Sequence, residues 1–125
     1  MEIQTVLVVD EDTDTCEGLV LLWSSYGLTV HTCRNLREAR KLAPAIKAQA
    51  ILLSDAGTKE GIAGFLKELR KKKRKLKFVS LITGEPMLQV EATTLVAEAG
   101  ADGWVEKPIA AMATLKRLRL IGGQK

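Results

Sequence analysis

The sequence predicts an α/β fold built on a parallel sheet with helices on both faces. Apolar runs of strand length recur five times, at residues 6–9, 28–33, 51–53, 78–82 and 104–105. Between them lie helix-length stretches whose apolar residues return at three- and four-residue spacing. The strand runs are continuous rather than alternating, as in strands buried on both sides. Alternation of this kind closes through right-handed crossovers into one parallel sheet.

Each element has its own signal. The run at 6–9 stops at Asp10, and a first helix follows with Leu19, Leu22 and Trp23 on its apolar face and Gly27 as its carboxy-terminal stop. The second run contains His31, the chain's single histidine, in mid-strand, where packing rather than phosphate carriage is expected. Leu36, Ala39, Ala43 and Ile46 mark a second helix that Pro44 should shorten or kink. Phe65, Leu66 and Leu69 mark a third; Leu88, Leu95 and Val96 mark a fourth that ends at Gly100. Met112, Leu115, Leu118 and Ile121 mark the last, with Lys116, Arg117 and Arg119 opposite. The expected organisation is one domain over residues 1–122 and a short tail at 123–125.

Composition narrows the classes. A chain of 125 residues can build a core without staples. No apolar run reaches the ~18 residues of a membrane span, and the start lacks a signal-peptide pattern. Cys16 and Cys33 have neither metal-ligand nor redox spacing, so packing residues in a reducing cytoplasm are expected. The net charge is +4, but "RKKKRKLK", from Arg70 to Lys77, carries seven cations, and without them the rest of the chain stands at −3. That cluster follows the third helix and precedes the fourth strand, so it belongs at the amino ends of the strands. It reads either as a solvated turn suited to a helix carboxy terminus or as a docking site for an anionic partner. No aromatic residues interleave it for base stacking.

The chemistry-bearing residues gather where the strands end. "VLVVDED" runs four apolar residues into Asp10, Glu11 and Asp12. Acids there suit a helix amino terminus, or they serve a site that needs negative charge. In open parallel sheets, ligands sit outside the carboxyl ends of the strands. The third strand delivers Asp55 to that edge, the fourth Thr83 and the fifth Lys107. Asp10, Glu11 and Asp55 offer oxygen ligands to Mg2+, and Asp55 is the natural nucleophile for forming an acyl phosphate. Lys107 supplies positive charge and Thr83 a hydroxyl donor, which is most of what phosphoryl transfer asks of a protein.

In order and spacing, "VLVVDED", "ILLSD", "LITG" and "AGADGWVEKP" resemble the receiver domain of two-component response regulators over nearly the whole chain. The resemblance implies a flavodoxin-like, doubly wound sheet of strand order 2-1-3-4-5. It implies that Asp55 is the phosphoacceptor, loaded from the phosphohistidine of a histidine kinase or phosphotransfer protein. Asp10 and Glu11 match the acidic metal pair, joined by the Gly57 backbone carbonyl. Thr83 and Lys107, the latter followed by Pro108, match the groups that meet the phosphoryl oxygens. Trp104 stands at the aromatic switch position. The implied protein is a cytoplasmic switch that catalyses only its own loading and unloading and acts on an output protein. With no DNA-binding segment following, a stand-alone receiver is expected.

One stretch departs from the family pattern. Lys59 stands where proline is usual and Ala63 where glycine is usual, with Gly64 one residue late. This keeps open a second reading, a receiver scaffold that binds partners without phosphorylation. A small phosphohydrolase is disfavoured, because Gly57 stands where a second catalytic aspartate would be wanted.

Overall fold

The structure is a computed structural model that describes residues 3–54, 59–71, 78–83, 93–94, 96–98, 100–106 and 109–123. Five strands, β1 (Thr5–Val9), β2 (Thr29–Cys33), β3 (Ala50–Ser54), β4 (Phe78–Thr83) and β5 (Gly103–Glu106), form a single sheet in the order β2-β1-β3-β4-β5. Every neighbouring pair is parallel. Helices α1 (Thr13–Ser24), α2 (Leu36–Ile46), α3 (Lys59–Lys71) and a last helix, Ala111–Gly123, alternate with the strands. Residues 93–94 and 96–98 are also helical, within the fourth expected stretch. This is the predicted doubly wound α/β architecture and strand order. The last helix reaches Gly123. No described helix is long and apolar enough to cross a membrane.

The continuous apolar strands are explained by the two cores they serve. Side chains alternate along a strand, so Leu7, Val9, Ile51, Leu53, Val79 and Leu81 face one side. There they meet Ala39 and Ala43 of α2 and Phe65, Leu66 and Leu69 of α3. Val6, Val8, Ala50, Leu52 and Ile82 face the other side, against Leu19 and Trp23 of α1 and Leu115 and Leu118 of the last helix. Full burial of such a side chain contributes roughly 1.5–3 kcal/mol.

Both faces are tied by polar contacts at their margins. Trp23 is wholly buried, and its Nε1–H donates to the Ala111 carbonyl at 3.0 Å, fastening α1 to the start of the last helix. At the amino edge, Gln49 Oε1 accepts from the Gln4 and Thr5 N–H groups at 2.7 and 3.1 Å. Asp102 accepts the Val79 N–H at 2.8 Å while its own N–H donates to the Val79 carbonyl at 2.8 Å, which prolongs the β4–β5 pairing. The Arg117 guanidinium lies where a Cβ on Gly103 would stand, so that glycine permits the close approach.

The helices end by a shared device. After α1, the Leu28 N–H bonds to the Trp23 carbonyl and the Gly27 N–H to that of Ser24, with Gly27 at φ +91°. Ala101 to Val96 and Gly100 to Ala97 repeat the pattern around Gly100 at φ +79°. These are Schellman stops, and glycine meets the left-handed geometry without steric cost. After α2 the same bonds run from Ala48 to Ala43 and from Lys47 to Pro44, but a lysine holds the position at φ 54°. Pro44 stands inside α2, two residues before its end, where only the last turn loses a backbone donor.

Two substitutions should therefore stabilise the fold. Lys47→Gly relieves the left-handed lysine, and Gly64→Ala removes an exposed glycine from the interior of α3, where an added Cβ meets nothing within 4 Å. Each is expected to add roughly 0.5–1 kcal/mol in urea unfolding. A loss of stability in either would contradict the local geometry.

Candidate functional site

The three opening acids take three different positions. Asp10 is the first residue past β1 and is only 4% exposed. Its N–H donates to the Cys33 carbonyl at 3.0 Å, and its Oδ1 accepts the Asp12 N–H at 2.9 Å. The Cys16 thiol donates to its carbonyl at 3.5 Å, and Oδ2 is withdrawn from solvent. Glu11 is exposed beside it. Asp12 is the amino-terminal cap of α1: its Oδ1 accepts from Asp14 and Thr15 N–H at 3.0 and 3.4 Å, while Oδ2 accepts the Thr15 hydroxyl at 2.9 Å. The helix-terminus reading of the acidic run thus applies to Asp12. An aspartate just ahead of a helical pattern was the available sequence signal for the cap.

Strand register aligns the remaining termini. Val9 pairs with Leu53, so the chain leaves β1 at Asp10 and β3 at Ser54, each one residue past that pair. Ser54 pairs with Ile82, and Thr83, the last residue of β4, pairs with Glu106, the last of β5. Asp55 follows Ser54 in sequence and Lys107 follows Glu106. Asp55, Gly57, Lys107 and Pro108 lie outside the described residues. Between β1 and β3 the strand order reverses direction, and clefts that bind ligands form outside the carboxyl ends at such a point.

Among the described residues, no group of three or more His, Cys, Asp or Glu side chains is placed to hold a metal ion. Asp10 and Glu11 are adjacent carboxylates, and hard oxygen donors of this kind fit Mg2+.

The altered stretch after β3 is helical from its first departure. Lys59 opens α3 and Ala63 and Gly64 lie within it, while Ile62 is buried in the core. Trp104 is half-buried in β5, level with Leu81, and packs against the α2–α3 core, as do Val96 and Ala101. His31 is half-buried in β2.

Two surface depressions flank α1. One, of about 530 Å³, is lined by Asp10, Thr13, Cys16, Glu17 and Leu21 together with Cys33 and Arg34. The other, of about 600 Å³, runs from Asp12, Asp14 and Thr15 across Gly18 to Ile109 and Ala111. Both cysteines are free thiols and buried. Burial, with a smaller contribution from the Glu38 carboxylate, pushes Cys33 from its ordinary 9.0 up to about 11. A raised folded-state value stabilises the protein below the unfolded one and is lost as pH climbs through the folded one. Stability should therefore decline between pH 9 and about 11, and Cys33→Ala should flatten that decline in urea titrations across this window. Parallel curves for the two proteins would show that the thiol does not contribute.

The basic cluster is described at its first two residues. Arg70 Nη2 meets Asp102 Oδ2 at 3.3 Å and donates to the Gly100 carbonyl at 3.4 Å, and Lys71 is exposed. This puts the end of α3 beside the start of β5, at the amino edge of the sheet as predicted. Residues 72–77 lie outside the described residues.

No family model matches the chain, and no curated protein matches it in sequence. Solved structures do match. A response regulator from Thermotoga maritima superposes with a TM-score of 0.79 at 20% identity, over 98% of this chain and 99% of that one. The chemotaxis protein CheY4 of Vibrio cholerae gives 0.78 at 21% identity, over 95% and 98%. The BeF3-activated amino-terminal receiver domain of RstA from Klebsiella pneumoniae gives 0.78 at 19%, over 97% and 100%. At these identities the likeness is one of fold, and it spans both partners almost completely.

Proposed function

We propose that this chain, which has the fold of response-regulator receiver domains, is a phosphoacceptor switch of a two-component phosphorelay. The supporting observation is the strand-end register: buried Asp10, the residue before Asp55, Thr83 and the residue before Lys107 all come to the carboxyl edge of the sheet. In the proposed step, an Asp55 carboxylate oxygen attacks the phosphorus of a phosphohistidine on a histidine kinase or phosphotransfer protein. The new O–P bond forms as the P–N bond breaks. The electron pair leaves with the imidazole nitrogen, which then takes a proton from water. Thr83 and Lys107 donate to the phosphoryl oxygens. Asp10, Glu11, Asp55 and the Gly57 carbonyl are the groups that would hold Mg2+, whose charge would offset that of the phosphoryl oxygens.

The proposed output is the one the family resemblance implies: Thr83 shifts toward the phosphoryl group and Trp104, half-buried in β5, turns inward. Val96 and Ala101 pack on the same core, so such a turn would reshape the surface an output protein meets. The test is the intact mass of the protein after incubation with a small phosphodonor. A gain of one phosphoryl group is expected with Mg2+ and none after chelation. A gain indifferent to Mg2+ would contradict the cradle, and no gain at saturating donor would favour the phosphorylation-independent binding module.

A further inference from the structure

We infer that the outer edge of β2 is an interface for a second copy of this chain, paired antiparallel about His31. Among the described residues, β2 is an outermost strand and pairs with β1 alone. The Thr29 N–H donates to the Gln4 carbonyl at 2.7 Å, and the Cys33 carbonyl accepts from the Asp10 N–H at 3.0 Å. Thr29, His31 and Cys33 therefore turn their backbone groups inward to β1, and the residues between them, Val30 and Thr32, turn theirs outward. One step beyond on either side, the outward donors are already used. The Leu28 N–H donates to the Trp23 carbonyl at 3.1 Å, and the Arg34 N–H to Glu38 Oε1 at 3.1 Å. The edge left for pairing is thus Val30 and Thr32, placed evenly about His31.

That symmetry selects the occupant. A second β2 related by a two-fold axis beside His31 sets Val30 against Thr32 and Thr32 against Val30, and each pair exchanges both N–H···O bonds. The strand also lacks the guards that keep edges apart: Thr29–Cys33 contains no proline, lysine or carboxylate. The opposite edge, β5, is one residue shorter, ends on Glu106 and has the Arg117 guanidinium over Gly103. Apolar surface gathers at the β2 edge as well. Leu21 is 76% exposed and, with Val20, Thr32 and Arg34, lines the groove between α1 and β2. Tyr26, 45% exposed, stands just before the strand. Val30 and Thr32 alternate onto the α1 side of the sheet, as Val30 shows by packing on that core. Pairing at the usual strand spacing of ~4.8 Å continues the sheet across the axis and brings the Val20–Leu21 sides of two α1 helices together.

The experiment is sedimentation equilibrium of the full chain from about 10 μM to about 1 mM, the range of weak interfaces. The wild type should populate a dimer that dissociates on dilution. Thr32→Pro removes an outward donor while leaving the pairing with β1 in place, since an edge strand tolerates proline on its open side. Leu21→Arg sets like charges against each other where the two α1 helices meet. Each variant should weaken the dimer at least about tenfold and keep the wild-type melting midpoint at the dilute end. Leu21 is exposed, so Leu21→Arg decides the matter should proline lower that midpoint. Register is read separately. His31→Cys puts two thiols across the axis at a Cα separation of ~4.5 Å, within disulfide reach. Air oxidation with copper phenanthroline should therefore link the chains through position 31, and far less through Ser25→Cys. A wild type that stays monomeric throughout, a dimer that Leu21→Arg leaves unchanged, or equal cross-linking at the two positions would overturn the inference. Phosphorylation enters none of these measurements, so the outcome is independent of the proposed switch.

Discussion

Asp55→Asn should abolish phosphoryl incorporation altogether, whereas Glu11→Gln should only slow it and raise the Mg2+ concentration required. The contrast follows from the roles. An amide at position 55 offers no carboxylate oxygen to the phosphorus. Glu11 is exposed, so neutralising it would remove one of several proposed oxygen ligands rather than the proposed reacting atom. Asp10, buried and hydrogen-bonded to Asp12, should be less tolerant than Glu11. Time courses of intact mass at graded Mg2+ separate the cases. Residual incorporation in Asp55→Asn at the wild-type rate would move the phosphoacceptor elsewhere.

Trp23→Ala should cost about 3–5 kcal/mol, the range for deleting a large buried aromatic. Trp23 is wholly buried between the sheet and the last helix and also donates its indole N–H across to Ala111. Against total stabilities of ~5–15 kcal/mol, a loss of this size should lower the melting midpoint by more than roughly 10 °C. Trp23→Phe keeps much of the ring and loses the donor, so it should cost less, roughly 1–2 kcal/mol. That variant also leaves Trp104 as the only tryptophan, giving a fluorescent reporter of the proposed turn. A Trp23→Ala protein as stable as wild type would contradict the packing described for that face.

The fold was legible because its signal is local. The recurring apolar stretches of strand length and the spacing between them are properties of neighbouring residues, and they carried the parallel sheet directly. The carboxyl-edge residues were legible for a related reason: in a parallel sheet, the residue after each strand must emerge at the same edge. Asp10 and Thr83 are seen there, and the strands leading to Asp55 and Lys107 end there too. Asp12 was readable in principle, since its cap is a contact between residues two and three apart.

The unforeseen contacts are long-range or sterically subtle. Gln49 bridges to Gln4 and Thr5 across 45 and 44 residues, and Arg70 reaches Asp102 across 32. Trp23 finds Ala111 across 88. No spacing rule encodes such pairs, because they depend on which helix and strand ends the fold brings together. Lys47 hid the end of α2 for the opposite reason. The backbone there adopts the geometry that glycine marks at Gly27 and Gly100, but a lysine tolerates it. The stretch after Asp55 looked like an altered loop because Lys59 and Ala63 replace punctuating residues. Its helical start at Lys59 accounts for both as ordinary residues of α3.

The most direct measurement is the position of the modified residue. Borohydride reduction converts an aspartyl phosphate to homoserine, which tandem mass spectrometry locates within a peptide. After treatment with Mg2+ and a small phosphodonor, homoserine is predicted at position 55, and none without Mg2+. Phosphate found instead on His31, or a reduced residue at any other aspartate, would contradict the account of Asp55 as the phosphoacceptor.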